Sequence, residues 1–253
     1  MPDQPDPVLV RLLEDCCFNA WPTVVAVFLD GWVVRLDGGH VYWNNSASPL
    51  HPRGMPQHEL IARVENLFKV QDLAPVFRLT PLAPPDLDAA LDKRGWELCE
   101  PSVVMRAVQI AGDAEHASIR ISQTADAAWI AGAMTAYGYG AHGIAALTRL
   151  LANLALPAAF MSVVEEGCAV GWGMGVVERG HIGLHDLVVD PAARGRGLGR
   201  RLVAALLAYG RAQGANAAYL QSREDDDAAR RLYAPFGFEV VYRTANRMLS
   251  PGG

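Results

Sequence analysis

Between residues 181 and 202 the chain passes from an apolar run through Asp190-Pro191 into Arg194-Gly195-Arg196-Gly197-Leu198-Gly199 and then into a second apolar run. This pattern constrains the fold more than any other. It predicts a strand, a glycine-rich turn and a helix from about 197 to 213, with Leu198, Leu202, Leu206 and Tyr209 on one stripe, Val203 and Leu207 beside it, and Gly214 as its stop. Such a turn gathers unpaired backbone N–H groups and the positive end of the helix dipole at one spot. That makes an anion site suited to a pyrophosphate, which glycine lets approach the backbone without a Cβ in the way. Other phosphate loops do not fit. A Walker loop needs Gly-Lys, which never occurs, and the dinucleotide fingerprint needs glycine where Arg200 stands.

Around this turn the chain reads as mixed α/β layers. Helices are predicted over 125–137 and 144–155, a hairpin over 159–164 and 168–177 and a strand over 181–190. After the long helix come a strand over 217–223, a helix over 225–234 and a last strand over 238–248. Ahead of the polar break at 111–116 the order is strands over 24–37 and 41–47, a helix over 57–71, a strand over 75–79, a helix over 86–94 and a strand over 102–110. The chain therefore divides into residues 1–112 and 113–253, the first part a smaller α/β domain that repeats part of the second's order. Hydrophobic residues form 51% and charged residues 19%, enough to bury a core.

The net charge of −5 argues against a nucleic-acid partner. The richest apolar stretch, 143–164, is broken by Arg149, Asn153 and Pro157, so no membrane span is expected. The start lacks the features of a signal peptide, and Cys16, Cys17, Cys99 and Cys168 have neither disulfide-framework nor metal spacing. A cytoplasmic chain with reduced thiols and no metal follows. His181 and His185 do not make a metal pair, since four residues of strand span roughly 13 Å.

Arg194-x-x-Gly197-x-Gly199 after Val189-Asp190-Pro191 resembles the acetyl-CoA loop of the GNAT superfamily of N-acetyltransferases, which reads Gln or Arg, two residues, Gly, one residue, then Gly or Ala. Tyr219-Leu220-Gln221 resembles that family's fifth strand, and Ala229-x-x-Leu232-Tyr233 with Gly237-Phe238 resembles the helix that closes the site. The resemblance covers residue 118 to the C-terminus, and the layout resembles two-domain bacterial members with a degenerate N-terminal half. It implies a GNAT fold whose central sheet splays apart and an acetyl-CoA-dependent transfer to a primary amine on a small molecule or peptide.

Residue by residue, it implies that the backbone of Leu187, Val188 and Val189 pairs with the pantetheine arm. It places the pyrophosphate on Arg194, Gly195, Arg196, Gly197, Leu198 and Gly199, and Tyr233 as the acid that protonates the leaving thiolate. Asp186 and His185 are the candidates for the base. Where the family commonly has Asn, three residues before Ala229, this chain has Asp226, which lacks the amide donor. Asp226 and Ala229 are candidate cofactor contacts, while the acidic run 224–227 also reads as an N-cap plus first-turn carboxylates favoured by the helix dipole, the reading given to Asp225 and Asp227. Gln221 stands where relatives can hold a base, so a non-catalytic acetyl-CoA-binding regulator is the alternative reading. Nothing in residues 1–112 resembles the loop, so that part is expected to hold no cofactor. Its Trp32, Tyr42 and Trp43 are candidates to roof an acceptor pocket.

Overall fold

The computed structural model describes residues 5–37, 44–110 and 118–249. Their strands form one eleven-stranded mixed sheet, in the order β1-β2-β3-β4-β11-β5-β10-β9-β8-β7-β6. The chain divides into two compact units, one of Met1–Val104, Arg223–Asp225 and Val241–Gly253, the other of Met105–Ser222 and Asp226–Val240. A separate sheet for a smaller preceding domain is not seen, because the first unit is completed by the last strand of the chain. The break at 111–116 lies outside the described residues.

In the first unit helix α1 (Pro7–Ala20) starts at Asp6, whose Oδ1 accepts the Val8 N–H at 2.9 Å, with proline at the first helical position. The hairpin of β1 (Val25–Leu29) and β2 (Trp32–Leu36) turns at Asp30 and Gly31, both at positive φ, which matches the twist of paired strands. Then follow β3 (Ser46–Pro49), α2 (Gln57–Val70), β4 (Val76–Leu79), α3 (Leu87–Asp92) and β5 (Glu97–Val108). Leu60, Ile61, Val64 and Phe68 of α2 join Trp32, Phe77 and Trp96 in the core, with Phe77 edge-on to both indoles at 5.9 and 4.8 Å. Trp32 is wholly buried there, so it is core and not the roof of a pocket. Tyr42 and Trp43 lie outside the described residues. Glu14 of α1 is buried too, accepting two bonds from Arg78 at 2.9 Å and one from the Tyr242 hydroxyl at 2.8 Å.

The second unit contains β6 (Ile119–Ser122), α4 (Ala127–Tyr137), α5 (Ala141–Leu151), β7 (Ala158–Glu165), β8 (Cys168–Glu178), β9 (His181–Val189), α6 (Leu198–Ala212), β10 (Ala217–Arg223) and α7 (Asp227–Tyr233). β11 (Glu239–Met248) begins in this unit and ends in the first. The hairpins β7–β8 and β8–β9 turn at Glu166-Gly167 and Arg179-Gly180 with the same pair of positive φ values as the first. α6 buries Leu198, Leu202, Val203, Leu206 and Leu207 as its spacing predicts, but Gly210, not Tyr209, completes the buried face.

The differences from the sequence reading have local causes. α1 and β6 are additional elements. Of the strand expected over 41–47, residues 41–43 lie outside the described residues, and β3 starts at Ser46 after Asn45, whose Oδ1 accepts the Asp37 N–H at 2.8 Å. α7 begins at Asp227 because Asp226 is its N-cap. Among the described residues no helix is long and apolar enough to cross a membrane, no group of side chains could hold a metal ion, and the four cysteines are free thiols.

Candidate active site

Strands β9 and β10 run parallel and are paired only from Ala217↔His181 to Tyr219↔Gly183. Beyond that point both strands continue without a ladder to each other, so residues 184–189 of β9 present main-chain groups to a gap. On its other side β9 is bonded to β8, and there the register slips: Val188 lies opposite Trp172, but His185 lies opposite Met174. Asp186 and Leu187 together face Gly173, which is a β-bulge. The extra residue sits at Asp186, whose φ of +48° is the left-handed region that a non-glycine residue seldom occupies.

The bulge re-aims one side chain. Asp186 as a residue is partly exposed, yet its Oδ2 is shut away from solvent and has no hydrogen-bond partner among the described residues. Desolvation disfavours the carboxylate, and the acid is raised from the ordinary 3.8 to about 7. Leu187 turns toward Leu206 of α6, since both line the space above Gly173. Val188 is buried.

His185 has a different environment. Its ring stands edge-on to Tyr219 at 5.8 Å, and a Cβ on Gly183 would come within 2.5 Å of its Nε2 and 2.6 Å of the Tyr219 hydroxyl. Burial pushes its pKa down to about 3, so the ring is neutral at physiological pH. His181 is separate from it, with Nε2 at 3.2 Å from the Nε of Arg106.

The turn after β9 is built to expose backbone. Asp190 Oδ1 accepts the Ala192 N–H at 2.8 Å and so starts a single 3-10 turn, Pro191–Ala193. Arg194 then folds back, its Nε donating to the Val189 carbonyl at 3.1 Å, and Arg196 pairs with Glu165 at 2.7 Å. Gly195 and Gly197 have φ of +75° and +77°, and nothing lies within 4 Å of where a Cβ would stand on either. Gly197 is the N-cap of α6 and no side chain caps the helix, so its first N–H groups face open space. Gly199 lies in the first turn of α6, packed on its Cα side. A Cβ there would meet Leu232 of α7 at 3.5 Å and Val189 at 3.9 Å, so the glycine marks where β9, α6 and α7 converge.

On α7, Asp226 Oδ1 accepts the Ala229 N–H at 2.8 Å, and that bond is the helix cap. Asp225, expected in that role, is instead paired with Arg223 at 2.7 Å, and Asp227 lies in the first turn. α7 ends at Tyr233, after which Ala234–Phe236 form a 3-10 turn around Pro235. Tyr233 is buried against Phe238, ring centroids 5.5 Å apart. Burial first, and then the Asp226 carboxylate, raise its phenol above the ordinary range, so it keeps its proton at neutral pH.

A further tyrosine was not singled out from the sequence. Tyr137, at the end of α4, is 41% exposed as a residue, yet desolvation of its phenol first, and then Asp186, Tyr233 and Tyr139, raise that phenol well above 10. Asp186 and Tyr233 therefore meet electrostatically at one side chain. The only local signal for Tyr137 is its place before Gly138, the left-handed cap of α4.

Residues 9–246 match the family described as "Probable histone acetyltransferase Rv0428c C-terminal". The chain is 21% identical over 237 residues to the uncharacterized N-acetyltransferase YobR of Bacillus subtilis (strain 168), covering 92% of this chain and 95% of that one. It is 47% identical over 58 residues to the N-alpha-acetyltransferase RimI of Mycobacterium tuberculosis (strain ATCC 25618 / H37Rv), which covers 23% of this chain and 35% of RimI. A GCN5-related N-acetyltransferase from Kribbella flavida superposes with a TM-score of 0.70 at 19% identity, over 96% of each chain.

Proposed function

Since the chain belongs to the family of the probable histone acetyltransferase Rv0428c C-terminal region, and is an acyltransferase of the GNAT type, we propose that it moves the acetyl group of acetyl-CoA to a primary amine by direct attack of the amine on the thioester. The observation that carries this reading is the parting of β9 and β10 after Gly183, with a bulged, unpartnered Asp186 on the open edge and an uncapped helix N-terminus after it.

The residues present fit the cofactor. Gly195 and Gly197 hold the turn at positive φ with open space around them, and Leu187, Val188 and Val189 have no ladder to β10. In this assignment the N–H groups at the start of α6 hold the pyrophosphate, and the edge of β9 holds the pantetheine arm. Acetyl-CoA supplies an acyl group activated as a thioester. Asp186 Oδ2 takes the proton of the acceptor amine, a task for which a pKa of about 7 is well matched. We give the base to Asp186 over His185, because a ring with pKa about 3 is too weak a base at neutral pH. The Tyr233 hydroxyl holds the proton destined for the sulfur. Asp226 and Ala229 act by capping the helix that carries Tyr233, with their bond directed at each other. The acceptor is an amine on a small molecule or a peptide, and the site lies wholly in residues 113–253, with none in 1–112.

The loop assignment is tested at Gly197. Asn and Asp both tolerate positive φ better than other residues, so each variant should fold. Gly197→Asp sets a carboxylate where the pyrophosphate would lie, and should weaken coenzyme A binding at least about tenfold relative to Gly197→Asn, a difference of roughly 1.4 kcal/mol. Equal affinities by calorimetry would remove the loop from the site.

A further inference from the structure

The first unit contains a groove of about 670 Å³, within the size range of small-molecule sites. Five prolines (Pro7, Pro52, Pro81, Pro84 and Pro85) line it, with Val8 of α1 and Leu50 beside them. Proline fixes φ, so these walls are stiff and lose little freedom when something binds between them. The charged and ionisable groups of the lining are Arg11, His51 and Arg53; no carboxylate lines it among the described residues.

The two guanidinium groups are held but not exhausted. Arg11 Nε donates to Asp15 at 2.7 Å, while its Nη1 reaches the Leu50 carbonyl at 3.3 Å and abuts His51 Nε2. Arg53 Nη2 donates to Gln57 at 2.8 Å and lies a long 3.4 Å from both oxygens of Asp86. Arg53 Nε is buried with no partner among the described residues. A buried N–H of a charged group left without an acceptor is costly, and a ligand oxygen would relieve it.

From this juxtaposition of stiff apolar walls and an incompletely satisfied arginine pair, we propose that the groove binds a carboxylate carried on a flat apolar body. The body lies among the prolines, and the carboxylate meets Arg53 and Arg11, whose fork geometry suits it. The assignment is independent of acetyl transfer.

Calorimetry on the full chain tests it with four probes. Phenylacetate has both the charge and the body, benzyl alcohol the body alone, acetate the charge alone, and phenethylamine the opposite charge. Phenylacetate should bind at least about tenfold more tightly than each of the others. Arg53→Gln should bring phenylacetate and benzyl alcohol to near-equal affinity. Val8 is 75% exposed, so Val8→Glu does not threaten folding, and an acid in the first helical turn is favoured by the dipole. It should weaken phenylacetate about tenfold while leaving the melting temperature unchanged. Equal binding of phenylacetate and benzyl alcohol to the wild type, binding of neither, or an unaltered affinity in a folded Val8→Glu variant would overturn the proposal.

Discussion

At the scale of the residue the proposed chemistry rests on Asp186, where an unusual backbone angle and an unpartnered carboxyl coincide. Its raised pKa has two consequences of opposite use. As a base it works only when ionised, so kcat/KM should rise with pH and level off above about 7. An acceptor amine whose own pKa is below about 6 keeps that limb from being the substrate's, and Asp186→Asn should flatten it while lowering the rate by about 10²–10⁴. For stability the sign is reversed. Between the ordinary 3.8 and about 7 the folded state holds a proton that the unfolded state releases, so this group makes the fold less stable as pH rises through that window. Asp186→Asn should therefore melt higher than the wild type at pH 8, and that gain should vanish toward pH 4. A gain that is the same at both pH values would mean that the carboxyl is not desolvated. Tyr233 is tested separately. Tyr233→Phe keeps the ring packed on Phe238, so coenzyme A affinity should hold while kcat falls by about 10²–10⁴, toward the low end because a thiolate is already a fair leaving group. Unchanged turnover would leave Tyr233 a packing residue.

At the scale of the element, α7 links local structure to the proposed function, because it carries Leu232 against the glycine turn and ends at Tyr233, the proposed acid. Its cap is a single bond from Asp226. Asp226→Ala should cost about 1 kcal/mol of stability and weaken coenzyme A binding, whereas Asp226→Asn and Asp226→Ser, which can also cap, should preserve both. A loss of binding in the Asn variant with no loss of stability would show that the carboxylate acts on the ligand directly. This element also shows what was legible beforehand. The run of acids predicted a capped helix, but which of three aspartates makes the cap depends on backbone angles that the letters do not set. The turn from Asp190 to Gly199 was legible because glycines, an aspartate-proline pair and an apolar stripe each have one local meaning. The bulge at Asp186 was not, since it arises from a register slip between β8 and β9 that neither strand's own pattern reveals. Tyr137 was missed for a similar reason: its neighbours Asp186 and Tyr233 are distant in sequence.

At the scale of the whole molecule, alternation of apolar residues located most strands but not their order. β11 pairs with β4 through Ala245↔Leu79, a partnership between distant parts of the chain that no local pattern encodes. The repeat of element order read in the first half did not indicate that the last strand completes the first unit. The proposed function requires the gap between β9 and β10 to work as an acetyl-transfer site. The measurement that tests it most directly is release of free thiol from acetyl-CoA across a panel of primary amines, with the acetylated amine quantified alongside. Thiol release should depend on the amine, match N-acetyl product mole for mole, and fall by about 10² or more in Asp186→Asn. Binding of acetyl-CoA without release for any amine, or release that ignores the amine, would contradict it.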